Sequence, residues 1–169
     1  MITVNKENAD RMRAQVISSA LAIEDALTLV LGHWYCPHEA DNEMVTNRLV
    51  EEVLVDLPFE KKIRLFKGFV DDFPSEFPSE FIKELHKIRE IRNQMAHRIF
   101  NDPGEMADFF PERNLEKLDS FQFLKIGKSH FSFTLEDLEK YVKLCSDLRY
   151  IIYFSASKIS KHLKRSQSN

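Results

Sequence analysis

Glycine, cysteine and excess positive charge are all scarce in this sequence, and each shortage excludes a class of protein. Only four of the 169 residues are glycine, which disfavours a loop-rich or all-β fold because tight turns depend on glycine. The two cysteines, Cys36 and Cys145, lack metal-ligand spacing. A disulfide between them is conceivable, but reduced thiols in a cytoplasmic protein fit better. Lys and Arg number 24 against 27 Asp and Glu, so any nucleic-acid site must be a local patch.

Long apolar runs are missing as well. No uninterrupted run reaches the roughly 18 residues of a membrane span, and the N-terminus MITVNKENADRMR is too polar for a secretory signal. We therefore expect no association with a membrane. Hydrophobic residues make up 43% of the chain and charged residues 30%, which is typical of a globular protein, and we expect residues 1–169 to form a single domain.

The spacing of apolar residues predicts an all-α bundle of four to five helices. Steps of three and four predict a first helix over about 8–34. Further helices are expected over about 43–55, with Val45, Leu49 and Val53 inward and Leu54 as a further inward candidate, and over about 59–69, capped by Asp56. The doubled FPSE of residues 73–80 predicts a kinked connector, whose phenylalanines are better explained as core anchors than as a ligand-binding platform. The next helix, here called the motif helix, is predicted over about 79–100 and ends before NDPGE.

The last third of the chain predicts a hairpin and a final helix. Residues 121–135, FQFLKIGKSHFSFTL, alternate apolar and polar side chains around Gly127, which predicts a small β-hairpin. The following TLED predicts a capping box between Thr134 and Asp137 at the start of the last helix. Residues 158–169 are basic and polar, and we predict a frayed helix end there rather than a nucleic-acid arm.

Polar residues interrupt the apolar face of the motif helix. Its inward stripe continues from Phe81, Leu85 and Ile88 to Met95 and Ile99, but position 92 on that stripe is Arg. A buried charge costs several kcal/mol unless it is paired or lies at an interface. The neighbouring stripe carries His86, Arg89, Asn93 and His97, and the last two are one helical turn apart.

These side chains suit the cleavage of a phosphodiester. Arg92 offers a planar, permanently charged fork to phosphate oxygens, and His97 can move a proton near neutral pH. Asn93 can orient His97 or bind a phosphate. The acidic residues are scattered and the histidines are not paired, so we expect neither metal nor cofactor, and RNA would be cut through its own 2′-hydroxyl. A two-fold dimer would supply two copies of each group. From these residues alone, a structural polar network that closes a bundle or a dimer seam is the simpler explanation.

The stretch RNQMAH, Arg92 to His97, resembles the R-x4–6-H motif of the HEPN superfamily. The order of AIEDAL, LPFEKKIRLF, the motif helix and TLEDL along the chain is also similar to that superfamily. The resemblance implies an up-and-down helical bundle, a homodimer with motif helices facing across the two-fold axis, and a metal-independent ribonuclease of a toxin–antitoxin or defence system. An antitoxin or another regulatory protein would then be a partner.

The resemblance also implies roles for individual residues. Arg92 and His97 would be the catalytic pair, with Asn93 as a further polar residue of the site. Glu24 or Asp25 would be the first-helix acid that neighbours the motif. His86 and Arg89, which lie on the same stripe as Asn93, are predicted to support the site.

A second resemblance points away from catalysis. Residues 88–108, IREIRNQMAHRIFNDPGEMAD, are similar to the corresponding helix of mannitol-operon-repressor-like proteins, a HEPN-like group without established cleavage. This implies a non-catalytic regulator or interaction module that uses the same helix as a polar dimer seam. Ile99 stands where toxins silenced by a nucleotidyltransferase partner usually carry Tyr, so the resemblance does not imply tyrosine AMPylation.

Overall fold

The structure, a computed structural model, describes residues 5–35, 47–97, 99–100, 121–124 and 131–167. Its α-helices are α1 (Lys6–Tyr35), α2 (Phe59–Asp72), α3 (Phe81–His97) and α4 (Leu135–Gln167). A π-helix covers Leu49–Leu54 and a 3-10 helix covers Pro74–Glu76. Three short strands, β1 (Ile99–Phe100), β2 (Phe121–Leu124) and β3 (Phe131–Phe133), complete the described elements.

The chain divides into two compact units. Unit 1 comprises Met1–Ser19 and Glu90–Leu144, and unit 2 comprises Ala20–Arg89 and Cys145–Asn169. Each unit is built from residues that are distant in sequence, because α1, α3 and α4 each contribute one part to unit 1 and another part to unit 2. The motif residues 92–97 belong to unit 1. That residues 1–169 form one domain stays a prediction.

The described residues of unit 2 form an all-α bundle of five helical segments and one short 3-10 helix. It contains the later part of α1, the π-helix, α2, the first part of α3 and the later part of α4. Lys62 of α2 binds Glu24 of α1, and the hydroxyl of Ser155 in α4 donates to the Glu76 carbonyl over 2.8 Å. These contacts tie the segments to one another. The prediction of an all-α bundle with about four to five helices is therefore confirmed.

Aromatic rings fill the core of this bundle. Phe66, Phe69, Phe77 and Phe81 are all buried, and their rings contact one another with centroids 5.1–6.0 Å apart. Trp34 packs edge-on against Phe69 at 4.7 Å. Such edge-to-face contacts add to the hydrophobic gain of burial. Of the two phenylalanines in the Pro-kinked connector, Phe77 is buried as predicted. Phe73 is half-buried, with its ring 5.2 Å from Trp34 and 5.7 Å from Phe69.

The second helical segment differs from its prediction. The π-helix places Leu54 in the core but leaves Val53 47% exposed, so the inward assignment of Val53 is wrong. The cause is the wider winding of a π-helix: the Val55 N–H reaches back five residues to the Val50 carbonyl over 2.9 Å. A pattern that assumes 3.6 residues per turn therefore assigns Val53 to the wrong face of this helix. The predicted cap at Asp56 is also wrong, since Pro58 is the N-cap of α2 and no side chain caps it.

Unit 1 holds a three-stranded antiparallel sheet with strand order β1-β2-β3. Ile99 pairs with Leu124 and Phe100 with Phe123, so the predicted extension of the motif helix to residue 100 is wrong. Hydrogen bonding to β2, some twenty residues further along the chain, determines the backbone structure of these residues, although their spacing is helical. Phe121 to Phe123 pair with β3. The predicted turn around Gly127 lies outside the described residues, and the hairpin stays a prediction.

Helix α4 begins with a reciprocal capping box. The Asp137 N–H donates to Thr134 Oγ1 over 3.0 Å, while the Thr134 N–H donates to Asp137 Oδ2 over 2.9 Å. The backbone N–H of Thr134, joined by its hydroxyl, lowers the pKa of Asp137 because both stabilise the charged carboxylate. The capping prediction is confirmed. At its other end α4 continues to Gln167 with Ile159 buried, so ordered helix extends into the segment predicted to fray, 158–169.

Helix α1 is long and apolar enough to cross a membrane by length and composition alone. No uninterrupted apolar run marks this helix in the sequence, because Ser18, Ser19, Glu24 and Asp25 interrupt it. The average hydropathy of the helix nevertheless remains high. In the structure, 44% of its most apolar stretch is buried inside the protein. Core helices of folded domains pass the same test, so this feature is weak evidence for a membrane span.

Candidate functional site

The candidate site occupies the last turn and a half of α3. Met95 is fully buried there, and Arg92 and Asn93 are half-buried. The apolar stripe predicted for the motif helix thus carries Arg92 at the edge of the core, where its guanidinium keeps partial access to solvent. Arg92 Nη1 donates to Asn93 Oδ1 over 3.0 Å. This bond gives the guanidinium a defined direction.

His97 is the final residue of α3, and its side chain is exposed. Strand β1 begins two residues later along the chain and pairs with β2. The imidazole of His97 is therefore open to solvent at the end of the helix, close in sequence to the start of a strand. Helical spacing, which predicted a helix to residue 100, does not indicate this end.

Arg92 and His97 point in different directions along the helix. Five residues separate them, which corresponds to roughly 140° of rotation and about 7.5 Å along the axis. One chain therefore presents one guanidinium and one imidazole on different sides of α3. A reaction that needs both a proton donor and a proton acceptor would need a second imidazole or another group.

The predicted first-helix acids lie in unit 2. Glu24 forms an ion pair with Lys62, whose Nζ lies 3.0 Å from Glu24 Oε1, and the two side chains are only 13% and 4% exposed. Lys62 also donates to the Val55 carbonyl over 3.1 Å. Asp25 is exposed. Glu24 thus has a structural partner of opposite charge in its own unit.

His86 and Arg89 also belong to unit 2, and both converge on Glu60 of α2. Arg89 forms an ion pair with Glu60 through its Nη1, and His86 Nδ1 lies 3.7 Å from the same carboxylate. This cluster links α2 to α3. The structure thus brings His86 and Arg89 together with each other and with Glu60.

Lys62 and Glu60 are the residues that sequence reasoning missed. Lys62 is 3% exposed although its neighbour Lys61 is exposed to solvent. The spacing of apolar residues indicates the burial of Lys62, because it stands three residues after Phe59 and four before Phe66, on the buried stripe of α2. The same signal singled out Arg92 in the motif helix.

Within the part of the chain that the structure describes, no three His, Cys, Asp or Glu side chains gather as a metal site would require.

Comparison with known proteins gives no independent assignment for these residues. No protein-family model, curated protein or solved structure matches this chain significantly.

Proposed function

We propose that this protein is a metal-independent endoribonuclease of the HEPN type, acting as a homodimer with a composite active site between two α3 helices. The exposed imidazole of His97, at the end of a helix that also carries the oriented guanidinium of Arg92, is the observation that supports this proposal. The proposal includes the up-and-down order of the bundle and the hairpin around Gly127. A role as a toxin or defence protein, controlled by an antitoxin or regulatory partner, belongs to the same hypothesis.

The reaction would use the substrate's own 2′-hydroxyl. That oxygen attacks the adjacent phosphorus, the bond from phosphorus to the 5′-oxygen breaks, and the products are a 2′,3′-cyclic phosphate and a 5′-hydroxyl. His97 of one subunit would accept the proton of the 2′-hydroxyl, and the second copy would donate a proton to the leaving oxygen. Such a division of work explains why one histidine per chain is sufficient in a dimer.

Arg92 would stabilise the charge that builds up on the phosphoryl oxygens. Its fork matches two of these oxygens, which a point charge cannot do. Asn93 would act as a positioning residue, because its carbonyl oxygen accepts a hydrogen bond from Arg92 and carries no charge that would neutralise the guanidinium. This differs from the sequence-based hypothesis, in which Asn93 orients His97 or binds phosphate.

The test is cleavage of mixed RNA by the purified protein, with and without EDTA. We expect cleavage in both conditions and 2′,3′-cyclic phosphate ends. His97→Ala should lower the rate by about 10²–10⁴-fold, the usual contribution of a general acid–base group, while the dimer persists in sedimentation. His33→Ala removes another exposed histidine, at the end of α1, and should leave cleavage unchanged.

Arg92→Lys separates charge from geometry. It keeps the positive charge but loses the planar fork, so we expect it to cut RNA far more slowly than wild type. Arg11→Lys, at an arginine that is 73% exposed on α1, is the matched control. A wild type that cuts no RNA, or a His97→Ala variant that cuts as fast as wild type, overturns the proposal. The remaining hypothesis is then a non-catalytic HEPN-like regulator.

A further inference from the structure

Three aromatic side chains lie exposed within little more than one turn of α4, in unit 2. Tyr150, Tyr153 and Phe154 are 66%, 38% and 56% exposed, while the opposite side of the helix buries Leu148 and Ile152. The core of the bundle therefore does not use these rings. A group of large apolar side chains presented to solvent is typical of an interaction surface.

The rings are already arranged for stacking. Tyr150 and Phe154 lie one turn apart with ring centroids at 5.7 Å and planes only 15° from parallel. The guanidinium carbon of Arg149 lies 5.8 Å from the centroid of the Tyr153 ring. These four residues together with Lys161 are called the aromatic face below. Because neighbours hold the rings in place, a flat ligand would find them preorganised.

The charge of this part of α4 is opposite to that of the whole chain. Residues 148–167 contain five Lys and Arg and no Asp or Glu, although the chain as a whole has a net charge of −3. The helix dipole favours basic residues only in the last turn, and Arg149 lies five turns before the end. The dipole therefore accounts for Lys164 and Arg165, in the last turn, but not for Arg149.

Two of the basic residues are placed to serve the aromatic face. Lys161 is exposed and follows Phe154 by seven residues, which puts it on the stripe of Tyr150 and Phe154. Lys158 differs, because its ammonium group is bound to the Glu76 carboxylate over 2.7 Å. Arg149 and Lys161 thus place positive charge on both sides of the stacked rings, and the carboxylate of Asp147 lies on the same stripe, seven residues before Phe154.

We propose that the aromatic face of α4 binds single-stranded RNA. Bases would stack on the rings of Tyr150 and Phe154, and phosphates would contact Arg149 and Lys161, the combination by which proteins bind single strands without reading their sequence. The choice of RNA among single-stranded nucleic acids rests on the proposed function. The stacking and the charge complementarity do not depend on it.

The experiment measures the anisotropy of a labelled RNA of about 12 nucleotides in which every 2′-hydroxyl is methylated, so that the probe binds but cannot be cut. We expect Phe154→Ala to weaken binding roughly 5- to 100-fold, as the loss of one stacked base would. Phe154→Leu should weaken it as well, because leucine keeps an apolar side chain but has no aromatic plane, and Phe154→Trp should retain binding. Tyr35→Ala removes a ring that is 50% exposed on α1 and should have no effect.

Salt dependence tests the charges separately. Replacing Lys161 by Gln should reduce the slope of log affinity against log salt by about 0.7, the value for one phosphate contact on a single strand. Equal binding by wild type and Phe154→Leu overturns the proposal. So does a Phe154→Ala variant that changes oligomeric state but not RNA affinity, because the face would then be a contact between copies of the chain.

The two proposals fail independently. If the methylated RNA does not bind but ordinary RNA is cut in a manner that depends on His97, the aromatic face is not an RNA site and the ribonuclease proposal stands. If methylated RNA binds through Tyr150 and Phe154 but no RNA is cut, the binding face stands and the ribonuclease proposal falls.

Discussion

The buried ion pair between Glu24 and Lys62 makes a quantitative prediction about stability. Glu24→Gln leaves the Lys62 ammonium, which is 4% exposed, without its carboxylate. The Val55 carbonyl, at 3.1 Å, and the amide oxygen of the new Gln would still accept hydrogen bonds from it, but neither carries a charge. Removing one partner of a buried pair typically costs about 3–5 kcal/mol. Because Glu24 retains 13% exposure, water can partly replace it, and we expect about 3 kcal/mol.

Replacing both partners should cost much less than replacing either one. The double variant Glu24→Leu, Lys62→Met fills a similar volume with apolar side chains and leaves no unpaired charge, and such replacements are often neutral or stabilising. We therefore expect its free energy of unfolding to be within about 1 kcal/mol of wild type, although each single change is destabilising. The difference between the stability loss of the double variant and the sum of the two single losses measures the interaction energy of the pair.

Urea unfolding at neutral pH, followed by circular dichroism, measures these free energies. Glu7→Gln is the matched control, since it breaks an exposed ion pair with Arg11, one helical turn away, and such pairs contribute only about 0.3–0.5 kcal/mol. The reasoning is refuted if Glu24→Gln costs no more than Glu7→Gln, or if the double variant loses the sum of the single losses. The result also bears on the site, because a loss of activity in Glu24→Gln would then reflect loss of folding.

The two described glycines and the capping box give further predictions. Gly32→Ala should destabilise the protein by about 1–3 kcal/mol, because the added methyl group would overlap Val50. Gly68→Ala, where nothing lies within 4 Å, should stabilise it by about 0.5–1 kcal/mol, and urea unfolding that moves both variants in the same direction contradicts this difference. Thr134→Ala should cost about 1 kcal/mol through the lost cap, and an unchanged midpoint in the same assay would exclude that role. Since the folded pKa of Asp137 lies below its ordinary 3.8, its stabilisation is present above that pH and is lost as pH falls through the lowered pKa. The stability gap between wild type and Asp137→Asn should therefore shrink from pH 7 to pH 3, and a gap that grows would contradict the shift.

Local spacing predicted the helices because their stabilising contacts repeat every turn. Met12, Val16, Ala20, Ile23 and Leu27 are all buried, as steps of three and four require. The same reasoning failed where a distant segment decides the local structure. Residues 99 and 100 continue the helical pattern, yet they form β1 because β2 supplies hydrogen-bond partners from more than twenty residues away. Nothing in the motif helix itself carries that information.

The candidate site was predictable in its residue types but only partly in its surroundings. The sequence placed Arg92 on the apolar stripe, and the structure has it half-buried beside Met95. It did not indicate that Asn93 would bind Arg92, because the partner of a flexible guanidinium depends on rotamers rather than on spacing. It also did not indicate that Arg89 would pair with Glu60, which requires the packing of α2 against α3.

Lys62 and Arg92 are both charged residues on the apolar stripe of a helix, but their surroundings differ. Lys62 is almost fully buried, and a carboxylate neutralises it, so its charge is used within the fold. Arg92 is only half-buried, and the hydrogen bond from its Nη1 goes to a neutral amide. That bond orients the guanidinium without cancelling its charge. A guanidinium that keeps partial access to solvent can bind an anionic ligand, and a phosphate is an anion that its planar fork fits. The sequence pattern is the same at both positions, and the depth of burial separates Lys62, whose charge is used within the fold, from Arg92, whose guanidinium solvent can reach.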